Sequence, residues 1–177
     1  NFPVLKNQFL PDIRAHVGSP ERFLYSGFGI KASSEIQFSR NIVFYSVIGK
    51  SLIDNFDEKT SSPNSRLAKV RTEVVDYLQQ SSKDIYISNM AIESIWSPYS
   101  NFYAKVSLGY LESMYGGVVA ELMYKPFKGN TAFSYEHNDV QKRDFDQKLS
   151  FSNYKITTKH INIGHYHPKT NILAKLS

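Results

Sequence analysis

Acidic side chains are the first candidates for chemistry in this chain. Glu136, Asp139, Asp144 and Asp146 sit close together, and Glu112 and Glu121 flank the pair Gly116-Gly117. A glycosidase holds two carboxylates about 5–10 Å apart across a sugar. Here the acids are interleaved with Lys142, Arg143 and Lys148, and mutual neutralisation in a solvated loop explains them better than catalysis. Three histidines, His160, His165 and His167, form a second cluster, with His137 placed to lie on a neighbouring strand. His165 and His167 share a face at period two, a spacing that suits metal ligation. His167 directly precedes Pro168 at a turn, however, and spacing fixes no third ligand. Gly116-Gly117 lacks both the spacing and the following helix of a phosphate-binding loop, and reads as a bend between strands. Residue order defines no Ser–His–Asp arrangement. The chain is therefore read as non-enzymatic, with no catalytic residues, no metal ligands and no cofactor.

The elements that must position these residues are strands. In Asn101–Tyr110, Phe102, Ala104, Val106, Leu108 and Tyr110 fall on one face, and Tyr103, Lys105, Ser107 and Gly109 on the other. Successive strand side chains point to opposite sides, so the segment has one apolar and one polar surface. The same alternation is read at Leu24–Ser39, Ile42–Ile53, Ile85–Trp96, Val118–Phe127, Thr131–Asn138, Tyr154–His165 and a last strand opening at Asn171. A short strand is expected at Ile13–Val17. Several of these runs exceed the usual 5–6 residues of a soluble strand and approach the roughly 9–11 that cross a bilayer at a tilt. Between Asp54 and Asp84 the period changes. Leu67, Val70, Val74, Tyr77 and Leu78 recur at three- and four-residue spacing, which predicts a short helix near 66–80. From Ser39 onward the connections run short, long, short, medium, short, long, short, an asymmetry known from transmembrane barrels.

Composition narrows the class. Hydrophobic residues make up 41% of the 177, too many for a disordered chain, while the mean hydropathy of −0.37 excludes a bundle of membrane helices. A barrel survives that test, because alternate residues of its strands are polar. Twelve Tyr and twelve Phe suit membrane interfaces and half-buried sheets alike. The absence of cysteine excludes disulfide stabilisation, thiol catalysis and zinc–thiolate sites. The net charge is +5, but its cations are scattered singly, which argues against nucleic acid as a partner. The chain lacks an initiator Met and a signal peptide, and its last residues stop inside an alternating pattern. Residues 1–177 are therefore expected to be a single β-barrel segment of a longer protein.

Particular strings carry a resemblance. Val70–Leu78, Trp96–Gly117, Glu121–Phe127, Gln141–Asp146 and His167–Lys175 are together similar to the YjbH/GfcD family of exopolysaccharide and group 4 capsule biosynthesis proteins. The likeness is strong over roughly residues 66–177 and weak before them. It implies a large β-barrel protein of the Gram-negative outer membrane, often a lipoprotein, that assists polysaccharide secretion. The family supplies no catalytic residues to carry over. The expected fold is thus an all-β, antiparallel, up-and-down transmembrane barrel segment of roughly eight or nine strands with one short helix. Phe102, Val106, Leu108, Val118 and Leu122 would face lipid. Tyr103, Lys105, Glu121, Lys125 and Lys175 would face a hydrated lumen. The expected partners are a polysaccharide, outer-membrane lipid and other polysaccharide export proteins. The alternative is a soluble periplasmic β-sheet module that binds polysaccharide.

Overall fold

Alternation of apolar and polar residues becomes an uninterrupted antiparallel meander in the computed structural model, which describes residues 2–17, 23–58, 74–168 and 170–176. The strands are β1 (Val4–Val17), β2 (Leu24–Gln37), β3 (Ile42–Asp54), β4 (Tyr86–Tyr99), β5 (Phe102–Tyr110), β6 (Tyr115–Tyr124), β7 (Thr131–Arg143), β8 (Phe151–His167) and β9 (Ile172–Leu176). They lie in one sheet in sequence order, β1 to β9. A 3-10 turn (Phe56–Glu58) and a helix, α1 (Val74–Lys83), fill part of the segment between β3 and β4. Among the described residues no pairing joins β1 to β9, so the sheet is open with two edges.

Several elements differ from the sequence expectation, each for a local reason. β1 begins at Val4 rather than Ile13 and runs for 14 residues. Pro11 lies within it, which an edge strand tolerates because one side of its ladder is unpaired. β7 continues to Arg143 and β8 begins at Phe151, so the charged loop expected from Asp139 to Asn153 shrinks to residues 144–150. Backbone pairing persists through Asp139↔Thr157 and Gln141↔Lys155, and polar side chains do not interrupt a ladder they flank. Gly116 and Gly117 do not form a bend; both lie inside β6, with Gly117 opposite Gly109. Gly109 has φ 138° and Gly117 φ 152°. A Cβ at Gly117 would strike the Asp139 carbonyl oxygen, so glycine is needed there for close approach. The helix expected near 66–80 runs on to Lys83; its predicted part before Val74 lies outside the described residues.

The two faces of the sheet are buried in the reverse of the soluble pattern. Asp12, Ser51, Ser107 and Asn162 are buried, and register places all four on the face that carries Lys105 and Glu121. On the opposite face Phe9 and Ile13 are each 80% exposed, and Leu108, Leu122 and Ile161 are also exposed. The compact apolar cluster sits at one end, where Tyr77 of α1 packs with Met114, Tyr115, Val140 and Ile156.

The polar face is concave. Arg14 of β1 donates to Ser81 of α1 at 2.6 Å, while the Tyr77 hydroxyl, one turn earlier, donates to the Arg143 carbonyl oxygen of β7. Laid flat, β1 and β7 would be about 29 Å apart, six spacings of about 4.8 Å. Ser81 and Tyr77 are separated by only about 6 Å along the helix axis. Both contacts can be made only because the sheet curls around α1.

Candidate functional site

The concave face carries a transverse row of ionisable groups. Lys105 of β5 stands opposite Glu121 of β6, which stands opposite Glu136 of β7, which stands opposite His160 of β8. Lys105 Nζ lies 3.1 Å from Glu121 Oε2. Next to this pair, the Ser107 hydroxyl donates to Glu93 Oε2 at 2.9 Å. Glu121 and Glu136 are like charges directly across a ladder, an arrangement that costs stability unless cations or donors offset it. Lys105 offsets Glu121. Glu136 has only a neutral donor, Asn138 Nδ2 at 2.9 Å, and no cation within 4 Å among the described residues.

A second polar cluster occupies the concave face under β1–β4. Lys31 Nζ is 2.8 Å from Asp12 Oδ1, Arg14 Nε is 3.3 Å from Asp12 Oδ2, and the Tyr86 hydroxyl donates to Asp12 Oδ2 at 2.7 Å. The Tyr86 ring lies over Gly49, where any Cβ would collide with it. The Arg14 guanidinium sits 5.1 Å from the Phe56 ring centroid and 5.6 Å from that of Tyr86, within cation–π range. Beneath α1 this cluster borders a cleft of about 350 Å³ that includes Arg14, Lys31, Tyr86 and Asn89.

At the helix end of the sheet, Arg143 is fully buried. Its Nη1 donates to the carbonyls of Ile87 (2.9 Å) and Glu112 (2.8 Å), and its Nη2 to those of Gln147 (2.7 Å) and Lys148 (3.0 Å). Tyr110 offers its ring 4.7 Å away. Gln147 Nε2 donates to the Tyr77 carbonyl at 2.7 Å, so the 144–150 loop, the 111–114 loop, β4 and α1 are bound to one side chain or its neighbour. Burial pushes the Tyr77 phenol up to about 12.

The residues singled out from sequence fall as follows. Phe102, Val106, Leu108, Val118 and Leu122 share the convex face, where Leu108 pairs with Val118 and Val106 with Ala120. Tyr103, Lys105 and Glu121 share the concave face, and Lys175, opposite Gly164 on β9, falls on it by register. Lys125 does not belong to a strand: β6 ends at Tyr124, and the Lys125 amide donates to the Asn101 carbonyl at 2.8 Å. His160 lies on the concave face and His165 on the convex one, and His165 and His167 contact Thr131 and Thr170 through Nδ1 at 2.9 Å. Among the described residues no set of three metal-ligating side chains converges. Of the four acids near residue 140, Glu136 and Asp139 point to opposite faces. Asp146 closes its own loop through Lys148 N at 3.0 Å and Ser150 Oγ at 3.3 Å. Lys142 and Arg143 are buried, not solvated, which overturns the reading of a neutralised surface loop. Lys148 pairs with Asp84 at 2.7 Å.

The convex face has its own order. Tyr99, Phe102, Tyr124 and Phe133 stand in direct register across β4–β7, with the Phe102 and Tyr124 ring centroids 4.9 Å apart. All four side chains are exposed. They form an aromatic band near the short-turn end of the strands.

A curled all-β meander with polar groups gathered inside and apolar groups outside defines the class of this protein. Sequence comparison then places it: the chain belongs to the YjbH family, described as exopolysaccharide biosynthesis protein YbjH, matched over residues 2–177. It is 31% identical over 157 residues to the uncharacterized lipoprotein YjbH of Escherichia coli (strain K12), an alignment covering 85% of this chain and 22% of that protein. The chain thus spans well under two thirds of the relative it matches. No solved structure matches the chain.

Proposed function

We propose that this chain is part of an outer-membrane β-barrel that assists exopolysaccharide export without catalysing a reaction. The inverted burial carries this reading: long strands bury Asp12, Ser107 and Asn162 on one face and expose Leu108, Leu122 and Ile161 on the other. Such a face is stable in hydrocarbon and costly in water. The curvature around α1 and the aromatic row Tyr99–Phe102–Tyr124–Phe133 support it, since aromatic girdles sit at headgroup level. Open sheet edges leave unpaired backbone groups that lipid cannot satisfy, so closure would require further strands. The concave face, with its ion pairs and hydroxyls, suits a hydrated path for a polyhydroxylated chain. Membrane fractionation of the full-length protein, combined with heat-modifiable gel mobility, tests the proposal. Recovery in the outer membrane with a heat-dependent mobility shift is expected. Recovery as a detergent-free soluble periplasmic protein would refute it and favour a soluble polysaccharide-binding sheet.

A further inference from the structure

A cleft of about 530 Å³ opens on the concave face over β6–β8. Its two walls differ in chemistry. One is apolar, built from Val119, Val140 and Ile156 with Leu111 and Tyr115; the other carries Glu136, Asn138, Thr158 and His160, and Glu112 adds a second carboxylate to the lining. The polar wall is held in place from within: Asn138 Nδ2 donates to Glu136 Oε1 at 2.9 Å and to Thr158 Oγ1 at 3.1 Å, and His160 Nε2 lies 3.3 Å from Thr158 Oγ1. Both protons of the Asn138 amide are thereby committed, and its Oδ1 has no partner. A clamped amide fixes the carboxylate without neutralising it, and Lys105, which attracts it at longer range, is paired with Glu121. The wall therefore offers acceptors and a carboxylate with no cation in contact among the described residues.

This pairing of surfaces matches a sugar ring. A pyranose presents an axial C–H surface to apolar side chains and a rim of hydroxyl donors to acceptors, and small-ligand sites combine mostly apolar lining with a few fixed polar groups. The ionised carboxylate accepts through both oxygens. It would strengthen a bond from an ammonium group and repel a uronate at the same position. We infer that this cleft is a subsite for one pyranose ring of a neutral or amine-bearing glycan, with Glu136 as the residue that discriminates against acidic sugars. The inference rests on the export reading for its glycan, but its geometry is local to β6–β8.

The test uses the full-length protein in detergent micelles and titrates three probes by calorimetry: glucosamine hexamer, maltohexaose and hexagalacturonate. Glucosamine hexamer is expected to bind most tightly, maltohexaose more weakly, and hexagalacturonate at least tenfold more weakly than glucosamine hexamer. Val119→Trp fills the cleft and Glu136→Gln keeps its shape while removing the charge. The first should weaken every probe at least tenfold, and the second should narrow the gap between the amine-bearing and acidic probes. Thr158→Val, which leaves the strand pairing intact, serves as the second variant should Val119→Trp fail to assemble. Tighter or equal binding of hexagalacturonate, no binding of any probe, or unchanged affinities in the variants would overturn the inference. The two readings fail separately. Outer-membrane recovery with unaffected variants removes the subsite and leaves the barrel, whereas a soluble protein whose variants lose binding removes the barrel and leaves the subsite.

Discussion

Replacing Arg143 with Met keeps the buried aliphatic stem and deletes the guanidinium. Four carbonyl oxygens, on Ile87, Glu112, Gln147 and Lys148, then each lose a donor at once, although the Gln147 oxygen keeps the Ile87 amide at 3.0 Å. A hydrogen bond to a charged group contributes about 1.5–3 kcal/mol net, so simple addition would give about 6–12 kcal/mol. Two effects reduce that sum. Burying the cation costs several kcal/mol in the wild type, and the carbonyls at the loop ends lie near enough to solvent for water to replace some of the bonds. A loss of about 3–5 kcal/mol is therefore expected. Arg143→Lys should recover only part of it, because an ammonium has three donors around a point and cannot span four carbonyls as the planar fork does. Urea titration of the full-length protein in micelles measures the overall loss. Hydrogen exchange should show protection falling first at residues 111–114 and 144–150, the loops that the guanidinium ties together. A change below about 1 kcal/mol, with unaltered exchange in both loops, would refute the claim that Arg143 is the clasp of this end.

Other outcomes follow from the same structure. Val106→Arg places a cation at the middle of β5 on the convex face, at a cost of about 2–4 kcal/mol at a bilayer midplane. It should abolish the heat-modifiable band, whereas Lys105→Ala should retain it. Gly117→Val forces a β-branched residue to φ 152° and into the Asp139 carbonyl, and should lower the urea midpoint more than Gly164→Val, where a Cβ meets nothing within 4 Å. Tyr77 ionises only near pH 12 when folded, against about 10 when unfolded. The Tyr77 contribution to stability should therefore be constant below pH 10 and fall between pH 10 and about 12, with the phenolate absorbance of Tyr77→Phe missing one late-titrating group. Asp84 is held below the usual carboxylate range by Lys148. Its contribution is present above the ordinary carboxylate range and fades as pH drops, and Lys148→Met should reduce that acid-side dependence, the Ile85 amide retaining part of it.

What could be read from sequence was whatever depends on neighbours along the chain. The sidedness of β5 and β6 followed from period two alone, because Val106 and Lys105 must point opposite ways wherever the strand goes. The helix was visible through Val74, Tyr77 and Leu78, although its end was set by Ser81 and Ser82, whose hydroxyls donate back to the Leu78 carbonyl. Arg143 was misread because its environment comes from three separate segments, and no local pattern announces a cation that will be met by carbonyls. The cluster of Asp12, Lys31 and Tyr86 was missed for the same reason. Only strand register brings residues from β1, β2 and β4 together, and register is a property of the assembled sheet. Glu136 was noticed as an acid, but its lack of a cation in contact depends on Lys105 having paired with Glu121.

The helix on the concave face has a consequence for calibre. Because the sheet curls around α1, the space along that face at the helix end is a crescent rather than a circle. Adding strands to such a sheet would enlarge its circumference but need not widen the crescent. Its narrowest width would be set by how far α1 stands from the strands, a distance held by Arg14 with Ser81, Lys50 with the Lys83 carbonyl, Tyr77 with Arg143 and Gln147, and the packing of Tyr77 on Met114 and Tyr115. In a barrel closed from this sheet, the size limit for anything passing this point would depend on the placement of one short helix as well as on the strand count.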